Sequence, residues 1–284
     1  MGVLLGALAA TFWGLGDFLI TLLTRRVGTG RALLSIQLLS LLLWLALLAA
    51  RPGVQGAGAL PWTIVVATAL CHVLGLALVY RAFEIGTLSI VSPISAGFAV
   101  VTAILSLASG ERPPALALGG AALLVGGAVL ATRAPAASGP RASWAGVPEA
   151  LLSALAFGTM FWLFYFFVQP AMGFRWPLVL LKAAAVTGSV LAYLSKPRGP
   201  RAAAPGLRIQ VVGLALGAAA ADTLAWLAYI GGTATSYATI VTALASLFSV
   251  VTVLLARRFL RERLAPHQWS GVVAILLGIL LVSV

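Results

Sequence analysis

Four ionisable side chains, Asp17, His72, Lys182 and Asp222, lie deep inside apolar stretches, whereas the other charged residues sit near the ends of such stretches. Taking an ionised group out of water is costly unless it is paired or hydrogen-bonded, so each of the four is a candidate for binding an opposite charge or carrying a proton. Asp222, Trp226 and Tyr229 follow at i, i+4 and i+7, which on a helix makes a single polar and aromatic stripe. An acid beside two aromatic rings suits a ligand with an amine and a flat apolar group, through charge pairing, cation–π attraction and stacking. Trp13 and Asp17 repeat the combination at i, i+4, with Gly14 and Gly16 thinning the helix between them. His72 titrates near neutral pH and is the natural group for proton coupling; Val79 and Tyr80 continue its face. Each also has a bland reading as a packed or hydrogen-bonded interior group.

The elements that hold these residues are set by composition. Of 284 residues 62% are hydrophobic and 8% charged, with a mean hydropathy of +1.10; a soluble globule carries roughly a quarter charged residues. A bilayer span needs about 20 mostly apolar residues. Ten stretches qualify: 2–23, 31–50, 61–80, 88–109, 114–132, 147–168, 177–195, 208–230, 236–256 and 266–284. The first is read as a span because no Lys or Arg precedes it and no convincing small-residue cleavage site follows its centre. The longest connection, 133–146, is rich in Pro, Ala, Ser and Gly and separates five spans from five, giving units 1–132 and 147–284. The net charge of +12 sits in short runs between spans, the pattern of membrane orientation and not of nucleic-acid binding. A single cysteine, Cys71, excludes an intrachain disulfide. No phosphate-binding loop, HExxH or Cys/His metal spacing occurs, and no cofactor is expected.

Shifting the chain by 150 residues lays 90–105 over 240–255, matching Ile90/Ile240, Val91/Val241, Phe98/Phe248, Val100/Val250, Val101/Val251, Thr102/Thr252 and Leu105/Leu255. One more residue of offset matches Glu111-Arg112 to Glu262-Arg263, and Gly120 and Gly127 to Gly271 and Gly278. The chain therefore reads as a duplicated five-helix unit. Five is odd, so successive copies enter the bilayer with opposite orientation. The charges follow: Arg25, Arg26, Arg31, Arg81, Arg133, Arg141, Lys196, Arg198, Arg201, Arg208, Arg257, Arg258, Arg261 and Arg263 fall on one side, and only Arg51, Arg112 and Arg175 on the other. The positive-inside rule then puts both termini outside. The same shift lays His72 on Asp222, predicting that the two approach each other near the pseudo-two-fold axis.

The terminal LARRFLRERLAPHQWSGVVAILLGILLVSV, the similar SGERPPALALGGAALLVGGAVL at 109–130, the opening ALAATFWGLGDFLI and the five-plus-five duplication resemble the drug/metabolite transporter superfamily, specifically its EamA-like ten-helix exporters. The resemblance spans essentially the whole chain. It implies an all-α membrane protein in which spans 1–4 and 6–9 surround a central cavity, with spans 5 and 10 as peripheral supports or dimer contacts. It also implies export of small metabolites, amino acids among them, by alternating access in the cell inner membrane, as a monomer or homodimer. The resemblance puts both termini in the cytoplasm, opposite to the charge count, and orientation stays open.

The substrate-binding set read from the residues is Trp13, Asp17, His72, Tyr80, Trp162, Asp222, Trp226 and Tyr229. Trp162 joins it because Gly158, Trp162 and Tyr165 share a face, which leaves Phe164, Phe166 and Phe167 for lipid. Lys182, five residues after Pro177, is expected to snorkel to the interface; pointing inward, it would pair with a carboxylate or hold an anion. Pro93 marks a hinge in span 4 that span 9 lacks, so any hinge is expected to be asymmetric. The leading reading is a secondary exporter of small amphipathic metabolites, aromatic amino acids foremost and with proton coupling through His72, Asp17 or Asp222. Alternatives are carriers of sugars, nucleotide-linked metabolites or organic cations, a membrane-embedded lipid enzyme, and a channel.

Overall fold

The computed structural model describes residues 1–50, 58–85, 94–132, 145–195 and 209–260, together with 270–271, 273–275, 277–278 and 281 of the last stretch. The described residues contain helices and no strands. In chain order they are α1 Gly2–Val27, α2 Thr29–Ala50, α3 Ala59–Ile85, α4 Phe98–Ala108, α5 Ala115–Thr132, α6 Val147–Leu163, α7 Arg175–Ser195, α8 Ile209–Thr233, α9 Ala238–Ala245 and α10 Phe248–Leu260. A π-helical turn, Phe164–Val168, and a short helix, Gln169–Met172, prolong α6. Among the described residues six helices are long and apolar enough to cross a bilayer: Gly2–Thr24, Gly30–Ala50, Ala59–Ala82, Val147–Met172, Arg175–Leu194 and Ile209–Thr233.

Contacts recur in pairs across the two halves. Helix α1 lies along α8 and α3 along α6; α1 also meets α10, as α6 meets α4, while α2 packs on α7. Small residues permit the closest of these approaches, as membrane helix packing requires. A Cβ on Gly14 would stand 2.5 Å from Val251 Cβ and 2.8 Å from the Phe248 carbonyl; one on Gly158 would stand 2.4 Å from Val101 Cβ and 2.8 Å from the Phe98 carbonyl. Thr252 Oγ1 donates to the Gly14 carbonyl at 3.2 Å, and Thr102 Oγ1 to the Gly158 carbonyl at 3.1 Å. Helix α5 meets the last stretch in the same reciprocal way. A Cβ on Gly127 would come 2.9 Å from the Gly271 carbonyl, and one on Gly278 would come 2.9 Å from the Gly120 carbonyl. Phe98 and Phe248, matched by the 150-residue shift, stack on each other with ring centroids 6.2 Å apart.

The helical run is interrupted at equivalent places in both halves, Ala96–Gly97 before α4 and Ser246–Leu247 between α9 and α10. At each break the amide bonds three residues back, Gly97 to the Ile94 carbonyl at 3.0 Å and Leu247 to the Leu244 carbonyl at 3.1 Å. The second copy therefore carries a break that matches one in the first, without a proline. Proline is not what breaks the second copy: the Ser246 hydroxyl donates to the Ala243 carbonyl at 2.7 Å, a local bond that competes with the helix ladder. Pro93 itself lies outside the described residues.

Glu111 ties the end of α4 to the start of α9. Gly110, at φ +102°, turns the chain after α4 in a conformation that favours glycine. The Glu111 carboxylate then accepts the Ala238 amide at 2.5 Å, the Thr239 amide at 3.1 Å and the Thr239 hydroxyl at 2.5 Å. A carboxylate there satisfies orphan donors at the positive end of a helix dipole. Replacing Glu111 by Ala should lower stability by about 2 kcal/mol, since hydrogen bonds to charged groups contribute roughly that much. Gly158→Val should cost about 1–3 kcal/mol by overpacking, whereas Gly119→Ala, which meets nothing within 4 Å, should be neutral or stabilising. Thermal unfolding of the three variants in detergent measures all three effects.

Candidate functional site

Helix α7 buries Leu178, Leu181, Lys182 and Ala185 along one stripe, so Lys182 enters the protein with that face and is 1% exposed. Its Nζ stands 2.7 Å from Asp222 Oδ2 on α8. The Ser40 hydroxyl of α2 donates to the same oxygen at 3.0 Å. The expectation that Lys182 snorkels is therefore corrected: seven residues beyond Arg175 it is about 10 Å along the helix, and a carboxylate awaits it at that depth. Three helices thus converge on one ion pair, its lysine buried and its aspartate side chain 21% exposed. Asp17 on α1 and Asp222 lie within reach of each other's charge, and Tyr80 on α3 within reach of both. Among the described residues the neighbourhood thus holds two carboxylic acids, Asp17 and Asp222, and the ammonium of Lys182.

One turn beyond Asp222 the aromatic residues close together. Trp226 meets Trp13 edge-on at 5.7 Å between ring centroids, Phe161 at 5.4 Å and Phe164 at 5.6 Å. Tyr229 lies 4.8 Å from Phe161 and 5.8 Å from Trp13, and its hydroxyl is 2.8 Å from Thr242 Oγ1. Offset and edge-on rings at these separations attract one another through their quadrupoles as well as by burial. Phe161, Trp226 and Tyr229 are 5%, 2% and 0% exposed. The rings pack on one another around Trp226, while Trp13, Asp17, Tyr80 and Asp222 at their edge stay partly exposed. A separate gap of about 10 Å³, between Ala96, Val125, Ala128, Val129, Ser246 and Ser249, has room for about one water.

The structure therefore joins Trp13, Trp226 and Tyr229 directly and brings Asp17, Tyr80 and Asp222 into one electrostatic neighbourhood. His72, 5% exposed, faces Phe157 at 6.1 Å between centroids. Neither of its nitrogens finds a hydrogen-bond partner among the described residues, Asp222 included, although the charge of Lys182 reaches it. Trp162 lies outside the cluster; its Nε1 donates to Ser109 Oγ at 2.7 Å and its ring meets Phe167 at 5.1 Å. Phe161 occupies the interior instead, and Phe164, expected at lipid, is fully buried because it follows Phe161 at i+3 on the same face. No spacing in FGTMFWLFYFF singles out Phe161 and Phe164 over Trp162, because aromatic residues point in nearly every direction around α6.

The EamA-like transporter family model matches residues 1–133 and again 144–284. The chain belongs to the EamA-like transporter family. This EamA-like protein is accordingly a multi-pass membrane transporter of two-repeat architecture. Among solved structures 21 chains match. One, described only as the crystal structure of a protein, aligns over 99% of this chain and 94% of its own length with a TM-score of 0.78 at 15% identity, a similarity of fold alone. No curated protein matches. In the EamA-like chain, removing one member of a buried pair strands the other, at about 3–5 kcal/mol, whereas replacing both by apolar residues is close to neutral. Lys182→Ala should thus unfold well below the parent, and Lys182→Met with Asp222→Leu should recover most of the loss in thermal unfolding.

Proposed function

We propose that this protein is a secondary transporter that exports small amphipathic metabolites, aromatic amino acids foremost, across the inner membrane by alternating access. Its ten spans form two inverted five-helix repeats, 1–132 and 147–284, joined by the linker 133–146. The reciprocal contacts of Gly14 and Gly158, and of Gly127 and Gly278, support the inversion, because a pseudo-two-fold axis exchanges each member of a pair with the other. The observation that carries the function is the Lys182–Asp222 pair, inside the apolar spans Arg175–Leu194 and Ile209–Thr233 and one helical turn from Trp226, whose ring meets Trp13, Phe161 and Tyr229. An ionisable group inside a bilayer is retained for a solute or ion path far more often than for stability. The solute's charged end meets Asp17, Asp222 and Lys182, and its flat apolar end slips between rings that part to admit it. Breaks at Ala96–Gly97 and Ser246–Leu247 supply the bending. His72, with Asp17 and Asp222, supplies proton coupling.

A second reading, organic cations as solute, is favoured by one observation: Asp17 adds a second carboxylate to the field around Asp222. Flux into vesicles holding the purified protein, screened with amino acids, sugars, nucleotides and organic cations at two pH values, separates the readings. Asp222→Asn should cut aromatic amino acid flux by about 10-fold or more while the protein still elutes as a single folded species. Undiminished flux removes Asp222 from the site.

A further inference from the structure

Lys182 is undersupplied where it stands. An ammonium offers three N–H donors, and the described residues give it one acceptor, Asp222 Oδ2. Asp222 already receives Ser40 at the same oxygen and lies in the field of Asp17 and Tyr80. Resting on the reading that this site binds the solute, we propose that Lys182 is the specificity-determining ligand for the carboxylate of a zwitterion, held in reserve by Asp222 while the site is empty.

Binding exchanges one partner for another. An amino acid brings both charges, so its carboxylate takes Lys182 and its ammonium takes Asp222; one buried pair becomes two and neither protein charge is stranded. A simple amine that took Asp222 would leave Lys182 alone at 1% exposure, and a simple acid that took Lys182 would leave Asp222 beside a second carboxylate. Stranding a buried charge is penalised far more heavily than a pair is rewarded. The internal pair therefore rejects both half-ligands, and shape is left to the rings. The geometry suits this division: Trp226 lies one turn from Asp222, about 6 Å along α8, and its ring meets those of Trp13, Phe161 and Tyr229. His72, within reach of the Lys182 charge and with neither nitrogen hydrogen-bonded among the described residues, is the neighbour on that side.

Three indole solutes test it: tryptophan, tryptamine, which lacks the carboxylate, and indole-3-propionate, which lacks the ammonium. Each is assayed for flux into vesicles carrying the full-length protein. The parent should prefer tryptophan over either half-ligand by about 100-fold. Lys182→Met leaves Asp222 as a bare acceptor and should reverse the preference toward tryptamine; Asp222→Asn should reverse it toward indole-3-propionate. The exchanged double variant Lys182→Asp with Asp222→Lys keeps the pair and should keep the zwitterion preference, which covers the case that a single variant fails to fold. Folded Lys182→Met that still prefers tryptophan, or that loses all three solutes alike, overturns the proposal. A parent that moves no amino acid in the wider screen overturns instead the transport reading on which it rests.

Discussion

Inside a bilayer no water is at hand to hydrate an ion, and the centre of this molecule is organised around that fact. Lys182 is fully buried and survives there because Asp222 stands 2.7 Å away and Ser40 steadies the carboxylate. Coulomb attraction strengthens as the surroundings become less polar, but so does the penalty for a charge without a partner. The pair is therefore a constraint before it is a gain in stability. It fixes the rotation of α7 and α8 about their axes and their depth relative to α2, and α8 in turn delivers Trp226 and Tyr229 to the centre.

Around that pair, small residues decide how near the helices come. Lipid tails are as apolar as leucine, so burial of apolar surface drives helix association only weakly, and close packing and interhelical hydrogen bonds take its place. Gly14 and Gly158 let carbonyl groups approach threonine hydroxyls across the interface, at 3.2 and 3.1 Å. Among the described residues, the helical run breaks at Ala96–Gly97 and at the matching Ser246–Leu247. Glu111 anchors one of them, holding the first amides of α9 from the far end of α4.

Parts of the site were legible because their spacing is informative on any helix. Asp222, Trp226 and Tyr229 had to share a face, and so had Trp13 and Asp17. The face of α6 was not legible, since FGTMFWLFYFF offers an aromatic residue in nearly every direction. Trp162 looked like the better ligand, yet Gly158 packs on Val101 and turns Phe161 and Phe164 inward. Lys182 failed for a related reason: in a helix apolar all round, periodicity says nothing about which side faces protein. Its partner was visible in the sequence as another lone mid-span charge, but their adjacency spans 40 residues and two helices.

By itself the sequence determined what local chemistry and composition can determine. It established that the chain spans a membrane, that its halves match at 150 and 151 residues, that a handful of ionisable groups lie at depth, and that the chain resembles the EamA-like exporters. Each follows from short-range facts: apolar length, helical period and the cost of a charge in hydrocarbon. Only the tertiary structure decided that Lys182 and not His72 meets Asp222, that Phe161 and not Trp162 meets Trp226, and that both halves break their helices at matching points. The reason is that an apolar helix has no preferred face until its neighbours arrive. Which face turns inward is then fixed by glycine contacts and by the pairing of charges, and both are properties of two helices together.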